Sequence, residues 1–339
     1  MRILIDAFGG DNSPNEVIAG TVLAINEKDG FTAELVGDAE KIQELLKGYS
    51  YDKERITILH APEVITCEEE PTVAVRRKPN SSICVAMKEL KEQEDAKAFV
   101  SAGSTGAVLV GATLKLGRIS GVNRPALCPL MPTAIDGKKV VLLDAGANAD
   151  CKSINLCQFA LMGVAYMESL GVKNPKVALL SNGTEDEKGN ALNHEVFPLL
   201  KRMNINFVGN MEARDLLTGK YDVIVADGFS GNVAIKSMEG SMKTVLKMIK
   251  EGIYSTLSGK IGGLFLKKTI KNLVKRLDYS KMGGALFMGV NKPVIKVHGS
   301  SERDAFKAAI LQAVDYASFN ISDRIKEKLE DPKNQVVYA

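Results

Sequence analysis

The stretch Ala98-Phe99-Val100-Ser101-Ala102-Gly103-Ser104-Thr105-Gly106-Ala107 shows the unit from which the fold is built. A short hydrophobic run ends in a glycine-containing turn, and a longer helical pattern follows. Similar units recur along the chain. Short strands that alternate with helices are typical of a mostly parallel sheet covered on both faces. We therefore predict a three-layer α/β/α fold with a mostly parallel sheet.

Eight segments have the composition of strands in such a sheet. They are Arg2 to Ile5, Ala33 to Val36, Ile56 to Leu59, Ala98 to Ser101, Val140 to Leu143, Val177 to Leu180, Val223 to Ala226 and Val294 to Val297. No repeat of fixed period and no linker rich in proline and serine separates them. We therefore predict that residues 1–339 form a single large α/β unit.

Composition excludes several classes of protein. Hydrophobic residues make up 45% and charged residues 25% of the 339 positions, as in soluble globular proteins and unlike disordered or collagen-like chains. The 44 Lys and Arg against 41 Asp and Glu leave a net charge of +3, too small for a protein coated in nucleic acid. No run of about 18 apolar residues predicts a transmembrane span. The N-terminus enters a strand without a secretory signal, so we expect a cytoplasmic protein.

The cysteines and the acidic residues predict neither a disulfide framework nor a metal site. Five cysteines are an odd number and form no CxxC pair, which favours reduced, structural thiols. Four aspartates near the glycine turns have ligand chemistry suited to a divalent metal, but each adjoins a turn or helix start, where Asp is an ordinary cap. These are Asp6, Asp11, Asp144 and Asp227. We expect no metal and no cofactor.

Five glycine-containing segments follow predicted strands at their carboxyl ends. They are Asp6 to Asp11, Ser101 to Ala107, Asp144 to Asn148, Ser181 to Glu185 and Ala226 to Asn232. Open α/β sheets place ligands at this edge, glycine lets the backbone approach an anion, and the next helix directs unpaired N–H groups there. Hydroxyl and amide side chains in these segments suit phosphate oxygens. The pattern predicts a phosphate site, the alternative being that such turns only need small residues and caps.

Familiar nucleotide and hydrolase motifs are missing from the sequence. Neither GxxxxGK[ST] nor a helix-opening GxGxxG occurs, so the sequence does not favour ATP hydrolysis or standard dinucleotide binding. No GxSxG elbow supplies a nucleophilic serine, and none of the three histidines has a convincing catalytic partner. His298, which follows a strand in His298-Gly299-Ser300-Ser301, is either a residue that lines the site or a structural one.

Lys188 is the one cation in the polar loop Asn182-Gly183-Thr184-Glu185-Asp186-Glu187-Lys188-Gly189-Asn190. A lysine at a strand end can hold phosphate as a point charge. The alternative interpretation is a solvated surface lysine that offsets the three neighbouring acids.

The segment from Leu264 to Leu277, LFLKKTIKNLVKRL, predicts a basic amphipathic helix. Its apolar positions Leu266, Ile270, Leu273, Val274 and Leu277 share one arc, and Lys267, Lys268, Lys271, Lys275 and Arg276 occupy the rest. Glycines at 259, 262 and 263 suggest a hairpin at about 240–280 that is free to protrude. Such a segment suits an anionic lipid surface or an acidic protein partner. The alternative is a helix whose apolar stripe docks on the core or on a second subunit.

Seven ordered segments together resemble the PlsX-type phosphate acyltransferases of bacterial phospholipid synthesis. They are the five glycine segments, with the fourth extended to Asn190, and Gly283-Gly284-Ala285 and His298-Gly299-Ser300-Ser301. The resemblance runs from Met1 to about residue 330. Two positions depart from it: Phe8 stands where methionine is usual, and Ser104 where asparagine is usual. The resemblance implies a fold similar to isopropylmalate dehydrogenase and phosphotransacetylase.

The resemblance implies transfer of a long-chain fatty acyl group from acyl carrier protein to inorganic phosphate, which forms acyl phosphate for phosphatidic acid synthesis. It assigns phosphate orientation and oxyanion stabilisation to Lys188 and Asn232. The phosphate and substrate site comprises Asp6, Gly9, Gly10, Asp11, Gly103, Ser104, Thr105, Gly106, Asn148, Thr184, Asp227, Gly231 and His298. Phosphate is already an anion near pH 7 and a thiol leaves readily, so direct attack needs neither a strong base nor a metal.

The resemblance also implies partners and a location. The partners are acyl carrier protein, a second subunit in a homodimer, an anionic membrane surface and the downstream membrane glycerol-3-phosphate acyltransferase, with no nucleic acid. The location is the cytoplasm, with peripheral attachment to the inner face of the cell membrane through the basic amphipathic segment. Two rival functions remain at this point: an NAD- and metal-dependent isopropylmalate-type dehydrogenase, and a lipid-binding scaffold that uses only the amphipathic segment.

Overall fold

The computed structural model describes residues 1–277 and 283–337, with the backbone alone for 270–277 and 336–337. The described strands are β1 Arg2–Asp6, β2 Thr32–Gly37, β3 Ile56–His60, β4 Ala96–Ser101, β5 Ala126–Cys128, β6 Leu130–Pro132, β7 Lys139–Leu143, β8 Lys176–Ser181, β9 Asn206–Glu212, β10 Val223–Val225, β11 Ala285–Met288 and β12 Val294–Lys296. All eight strand predictions are confirmed. The prediction missed β5, β6, β9 and β11. Strands β5 and β6 have three residues each around Pro129, β9 is rich in asparagine and glycine, and β11 has only four residues, so none of them has a clear hydrophobic pattern.

Helices cover the strands along the whole described chain. They are α1 Asn15–Glu27, α2 Ala39–Leu46, α3 Pro71–Arg77, α4 Ser82–Glu92, α5 Thr105–Gly111, α6 Ser153–Ser169, α7 Ala191–Arg202, α8 Gly228–Tyr254, α9 Leu257–Leu277, α10 Arg303–Ser318 and α11 Ile321–Glu330. A π-helical turn, Ala112–Leu116, extends α5. Helix α6 is apolar on almost every side, as expected for a helix enclosed by its neighbours; all its residues from Asn155 to Met167 are buried.

The strands form two sheets. The first has the order β3-β2-β1-β4-β12-β11-β5, and the second β6-β7-β10-β8-β9. Strand β11 is antiparallel to both of its neighbours and β6 is antiparallel to β7, while the other pairs are parallel. The predicted α/β class with mostly parallel pairing is confirmed, but the strands are shared between two sheets. The chain passes from β5 to β6 across Pro129 alone, and proline cannot continue the hydrogen-bond ladder.

One apolar cluster contains residues of both sheets. It includes Ile5 of β1, Val141 of β7 and Phe159 of α6, all fully buried. A second cluster lies on the other face of the first sheet and includes Ala107 and Val108 of α5. The shared cluster holds the two sheets in contact, so the ends of their strands keep a fixed relation.

Helices α8 and α9 pack against each other around a turn at 255–256. The glycines at 259, 262 and 263, which the sequence analysis associated with a protruding hairpin, all lie inside α9. A β-carbon built on Gly259 would lie 2.3 Å from the carbonyl oxygen of Ile253. The glycine therefore permits close packing of the two helices. Neither of these helices, nor any other in the described part of the chain, is long and apolar enough to cross a bilayer.

Candidate active site

The glycine segments lie at strand ends as predicted and form two groups. Strands β1, β4 and β12 are neighbours in the first sheet, so residues 6–11, 101–107 and 298–301 lie side by side; we refer to them as the first-sheet corners. Strands β7, β10 and β8 are neighbours in the second sheet, so residues 144–148, 226–232 and 181–190 do likewise as the second-sheet corners. Each group occupies the edge where α/β sheets bind ligands.

The first-sheet corners are locked together around the buried carboxylate of Asp6. The hydroxyl of Ser101 donates to Asp6 Oδ2 at 2.7 Å, and the backbone N–H of Gly103 donates to Ser101 Oγ at 3.0 Å. A β-carbon on Gly9 would lie 2.4 Å from Asp6 Oδ2 and 2.6 Å from the nitrogen of Gly103, so only glycine fits. Burial raises the pKa of Asp6, although hydrogen bonds from Ser101, Ser82 and the Phe8 N–H oppose this shift.

The His298 segment closes the same group. The backbone N–H of Asp11, which follows Gly10, donates to the carbonyl oxygen of Gly299 at 2.8 Å. The His298 side chain is exposed, and its Nδ1 lies 2.9 Å from the hydroxyl oxygen of Ser300. His298, for which the sequence left a site-lining and a structural role open, therefore lies at the first-sheet corners with an exposed ring that bonds within its own loop.

Helix α5 begins beside these contacts. Ser104 and Thr105 are partly buried at its start, next to the buried Gly103. A β-carbon on Gly106 would lie 2.5 Å from Pro71 Cγ, so this glycine serves the packing of α5 against α3. Gly106, which was predicted as a site residue, therefore allows close packing of α5 on α3.

Lys296, at the end of β12, is a site residue that sequence reasoning missed. Its Nζ lies 3.3 Å from the carbonyl oxygen of Ala102 and also contacts that of Val297. Burial lowers the pKa of Lys296 to about 8, while the charges of Cys67, Asp6 and Asp11 oppose that shift. The sequence offered only a lysine two residues before His298, and a lysine within a strand does not by itself predict a functional site.

In the second-sheet corners, the carboxylate of Asp144 organises the turn that follows β7. Its Oδ1 accepts hydrogen bonds from the backbone N–H groups of Leu127, Gly146 and Ala147 at 2.9, 3.1 and 3.0 Å. Its Oδ2 accepts from the backbone N–H and the side-chain amide of Asn148 at 2.6 and 2.8 Å. Burial raises the pKa of Asp144, and these donors oppose the shift because they favour the charged form.

Two of the predicted residues in these corners have mainly positioning roles. The side-chain amide of Asn148 also donates to the carbonyl oxygen of Pro125 at 2.7 Å, so its N–H groups hold the turn. Asp227 is the N-cap of α8, where its Oδ1 accepts from the backbone N–H of Ser230 at 2.8 Å. The interpretation of Asp227 as a helix cap, weighed against a metal ligand, fits this contact.

The start of α8 is pressed against the Asp144 turn. A β-carbon on Gly231 would lie 2.0 Å from the backbone oxygen of Asp144, a distance that no side chain tolerates. The next residue, Asn232, donates a hydrogen bond from Nδ2 to the carbonyl oxygen of Ala145 at 3.1 Å. The first turn of α8 and residues 144–148 are therefore one interlocked unit, with Asn232 partly exposed at its rim.

The loop that carries Lys188 is fixed at its base and open at its tip. Asn190 caps α7 by accepting from the N–H of Asn193 at 3.0 Å, and Asn210 Nδ2 donates to the carbonyl oxygen of Glu185 at 2.7 Å. Thr184 and Lys188 are exposed. Within residues 1–277 and 283–337, Lys188 makes no ion pair. Among the three acids beside it, Asp186 pairs with Lys201 at 2.5 Å and not with Lys188.

The Asp144 turn connects the two groups. Leu127, on the edge strand β5 of the first sheet, donates to Asp144 and accepts from the N–H of Ala145 at 2.9 Å. Ala147 packs on the apolar cluster that contains Ala107 and Val108 of α5. The two sets of corners are thus joined through residues 144–148, although direct contacts hold the members of each set together more closely.

Three cysteines, Cys128, Cys151 and Cys157, are poor nucleophiles. Cys151 Sγ lies 3.5 Å from the carbonyl oxygen of Asn148, and burial raises its pKa to about 11. Burial raises the pKa of Cys157 to about 12 and that of Cys128 well above its ordinary value. A thiol must ionise to attack a carbonyl carbon, and these thiols stay protonated near pH 7.

A cleft of about 840 Å³ opens between the Lys188 loop and α8. Its polar end includes Ser181, Asn182 and Asn190 from the loop and Ser230 from the first turn of α8. The rest of the cleft runs along α8 over apolar side chains. The second-sheet corners therefore offer a cation, hydroxyls and amides beside an apolar space.

Residues 255–268 comprise the turn and the first part of α9 and are called the α8–α9 turn below; they carry exposed apolar side chains outside the predicted set of contact residues. Leu257, Leu264 and Phe265 are 77%, 73% and 82% exposed, more than Leu266 at 49%. Lys267 and Lys268 are exposed beside them. The remaining predicted contact side chains, Ile270, Lys271, Leu273, Val274, Lys275, Arg276 and Leu277, lie outside the described residues, although their backbone belongs to α9.

Comparison with known proteins gives a family and closely similar relatives. The model of the family "Fatty acid synthesis protein" matches residues 1–324. The phosphate acyltransferase of Clostridium novyi (strain NT) is 48% identical over 333 residues, which cover 97% of this chain and 99% of that protein. The phosphate acyltransferase of Clostridium tetani (strain Massachusetts / E88) is 45% identical over 332 residues, which cover 97% and 98%.

Solved structures with little sequence identity share the fold. A phosphotransacetylase from Streptococcus pyogenes superposes with a TM-score of 0.60 at 18% identity, over 96% of this chain and 94% of that one. A 4-hydroxythreonine-4-phosphate dehydrogenase from Klebsiella pneumoniae gives a TM-score of 0.53 at 10% identity, over 94% and 97%. At these identities the likeness establishes the fold alone, and it confirms the predicted similarity to phosphotransacetylase and dehydrogenase architecture.

Proposed function

The chain belongs to the fatty acid synthesis protein family and is a phosphate acyltransferase, and from this premise we propose that it transfers a long-chain acyl group from acyl carrier protein to inorganic phosphate. The product is an acyl phosphate that serves phosphatidic acid synthesis. The observation that carries the proposal is the exposed ammonium of Lys188, which makes no ion pair within the described residues, at the same sheet edge as Asn232. A cation and an amide donor together suit an anion held for attack.

The proposed chemistry is a single displacement at the thioester carbon. Lys188 and Thr184 hold phosphate, one phosphate oxygen forms a bond to the carbonyl carbon, and the carbon–sulfur bond breaks to release the thiolate of the carrier. Asn232 uses one amide N–H on Ala145 and directs the other toward the developing oxyanion. An oriented donor of this kind contributes on the order of 10²-fold to 10³-fold in rate. No enzyme thiol is required, in keeping with the protonated state of Cys128, Cys151 and Cys157.

The experiment combines palmitoyl carrier protein, phosphate and the enzyme, and measures free thiol together with acyl phosphate trapped by hydroxylamine. We expect thiol release that depends on phosphate and matches acyl phosphate one to one. Thiol release without phosphate would indicate a hydrolase and contradict the proposal. An acylated serine or cysteine in an acid-quenched digest would contradict direct attack while leaving the overall reaction in place.

The proposal includes peripheral attachment of a cytoplasmic enzyme to the inner face of the membrane through the α8–α9 turn. Leu264 and Phe265 are exposed apolar side chains next to Lys267 and Lys268, a combination that suits an anionic lipid surface. Changing Leu264 and Phe265 to Glu should reduce sedimentation with phosphatidylglycerol vesicles by at least tenfold, with an unchanged melting temperature. The control changes two exposed apolar residues elsewhere, Leu114 and Ile135, to Glu; an equal loss in both double variants would refute the assignment.

The proposed partners follow the same surfaces. The lysines of α9 suit an acidic carrier protein, and the exposed apolar residues Met248, Ile249 and Tyr254 near the end of α8 suit the interface of a homodimer. The product must reach an enzyme that consumes it at the membrane, which we propose to be the glycerol-3-phosphate acyltransferase. We propose no cofactor, no metal and no nucleic acid in the reaction.

A further inference from the structure

The cleft beside the Lys188 loop has one wall made by a single face of α8. Its residues recur every four positions in two rows, as expected for one side of a helix. One row is Ser230, Ala234, Met238 and Met242, and the other is Phe229, Val233, Ser237 and Ser241. From 229 to 242 this face is about 20 Å long at about 1.5 Å per residue. We refer to the cleft along it as the α8 groove.

The α8 groove is apolar along most of its length and open to solvent. Leu216 and Leu217 form part of the opposite wall and belong to an apolar cluster on which Ala234 and Met238 also pack. At the mouth, Phe229 is 66% and Val233 49% exposed. An apolar lining that is exposed to water marks a surface that a ligand or partner covers.

One end of the α8 groove meets the second-sheet corners. Ser181, Asn182 and Asn190 line that end and belong to the loop that carries Thr184 and Lys188. Asn232 lies between Phe229 and Val233 in sequence, and its amide contacts the carbonyl oxygen of Ala145. The first turn of α8 therefore borders both the Asp144 turn and the polar end of the groove.

We propose that the α8 groove binds the hydrocarbon chain of the acyl donor, with the thioester at the Ser181 end and the methyl end toward Met242. The inference rests on the proposed function and names the place of its substrate's chain. An apolar helix face of this length matches an extended long-chain acyl group, and the polar end of the groove places the carbonyl beside the loop of Lys188. Methionine side chains at 238 and 242 adapt to chains of different length because they are flexible and polarisable.

The test narrows the α8 groove and compares a long with a short donor. Ser237→Phe adds a ring at an exposed position of the groove and leaves the core untouched. Ala234→Phe adds a ring at a partly buried position of the groove. Val245→Phe, on the exposed surface of α8 outside the groove, is the control. Each variant is assayed with dodecanoyl and butyryl carrier protein, and the binding of dodecanoyl pantetheine is measured by calorimetry.

We expect both groove variants to lower kcat/KM for the dodecanoyl donor by more than tenfold and to leave the butyryl reaction within twofold of the native value. Each methylene displaced from an apolar site is worth about fourfold, so displacement of two suffices. Binding of dodecanoyl pantetheine should weaken to the same extent, and Val245→Phe should change neither quantity.

Three outcomes would overturn the proposal. The first is an unchanged dodecanoyl reaction in folded groove variants, and the second is an equal loss for both chain lengths. The third is a loss of self-association, measured by light scattering, with chain-length preference unchanged, which would assign the groove to a second copy of the chain. Failure of the proposed function is distinguishable: the native enzyme would then form no acyl phosphate from either donor, while the calorimetric arm still reports whether the groove holds the chain.

Discussion

The two sets of glycine corners differ in what they leave exposed. In the first-sheet corners the polar groups face one another: Asp6 is buried and hydrogen-bonded to Ser101, and Lys296 contacts backbone carbonyl oxygens. In the second-sheet corners the buried carboxylate of Asp144 is likewise satisfied by backbone donors, but Lys188 is exposed without an ion pair in the described chain. Similar sequence patterns therefore give one set of corners whose lysine is enclosed and whose exposed His298 bonds within its own loop, and another whose lysine is exposed.

A glycine turn at a strand end therefore has two separate roles. Close approach of the backbone, as at Gly9 and Gly231, fixes the turns. The polar groups nearest the strands then form hydrogen bonds within the turns. Catalysis requires polar groups that remain free after the turns are fixed. The groups that we propose to hold phosphate, Thr184 and Lys188, are exposed on the longer second-sheet loop.

The largest difference between the two sets of corners is expected in catalytic rate when the exposed Lys188 is replaced. Lys188→Ala should lower kcat by roughly 10²-fold to 10³-fold, because the variant loses the charge proposed to hold phosphate. Its melting temperature should stay within a degree of the native value, since the side chain is exposed. Lys296→Met is the matched change in the closed set. If steady-state rates fell more in Lys296→Met than in Lys188→Ala, the assignment of chemistry to the second-sheet corners would be wrong.

A smaller effect is expected from the packing of α8 on the Asp144 turn. Gly231→Ala places a methyl group against a backbone oxygen and should lower the free energy of unfolding by about 1–3 kcal/mol. Gly240→Ala, on the same helix with no atom within 4 Å of the new methyl group, should instead be neutral or stabilise by up to about 1 kcal/mol. Urea denaturation of both variants measures the difference. Equal stabilities would show that residues 144–148 yield to the helix and are not rigidly placed.

The smallest effect concerns the enclosed lysine and pH. The pKa of Lys296 is lowered to about 8 in the folded chain from an ordinary value of 10.5. Between these values the unfolded chain holds the proton and the folded chain does not, so the free energy of unfolding should rise with pH from 8 to 10.5 and stay level below pH 8. Lys296→Met should flatten this slope in urea titrations at pH 7, 8.5 and 10. A slope that survives the substitution would place Lys296 in open solvent.

Much of the fold was predictable because its signals are local. Hydrophobic runs such as Val140 to Leu143 and the glycine turns after them identified eight strands and the edge at which the turns gather. The short strands β5 and β6 and the division into two sheets were not predictable, since three residues on either side of Pro129 carry too little periodicity. For the site, Lys188 stood out as the one cation in an acidic loop, whereas Lys296 resembled any lysine within a strand.

The sequence by itself determined the α/β class, the position of each glycine turn at a strand end and the family, because these depend on residue type and order along the chain. Only the tertiary structure decided which turns are neighbours, which carboxylates are consumed by backbone donors and which lysine remains free. Those properties depend on strand order and on distances between residues remote in sequence, such as Gly231 and Asp144. Burial and hydrogen bonding then decide whether a polar side chain stabilises a turn or is left to bind a substrate.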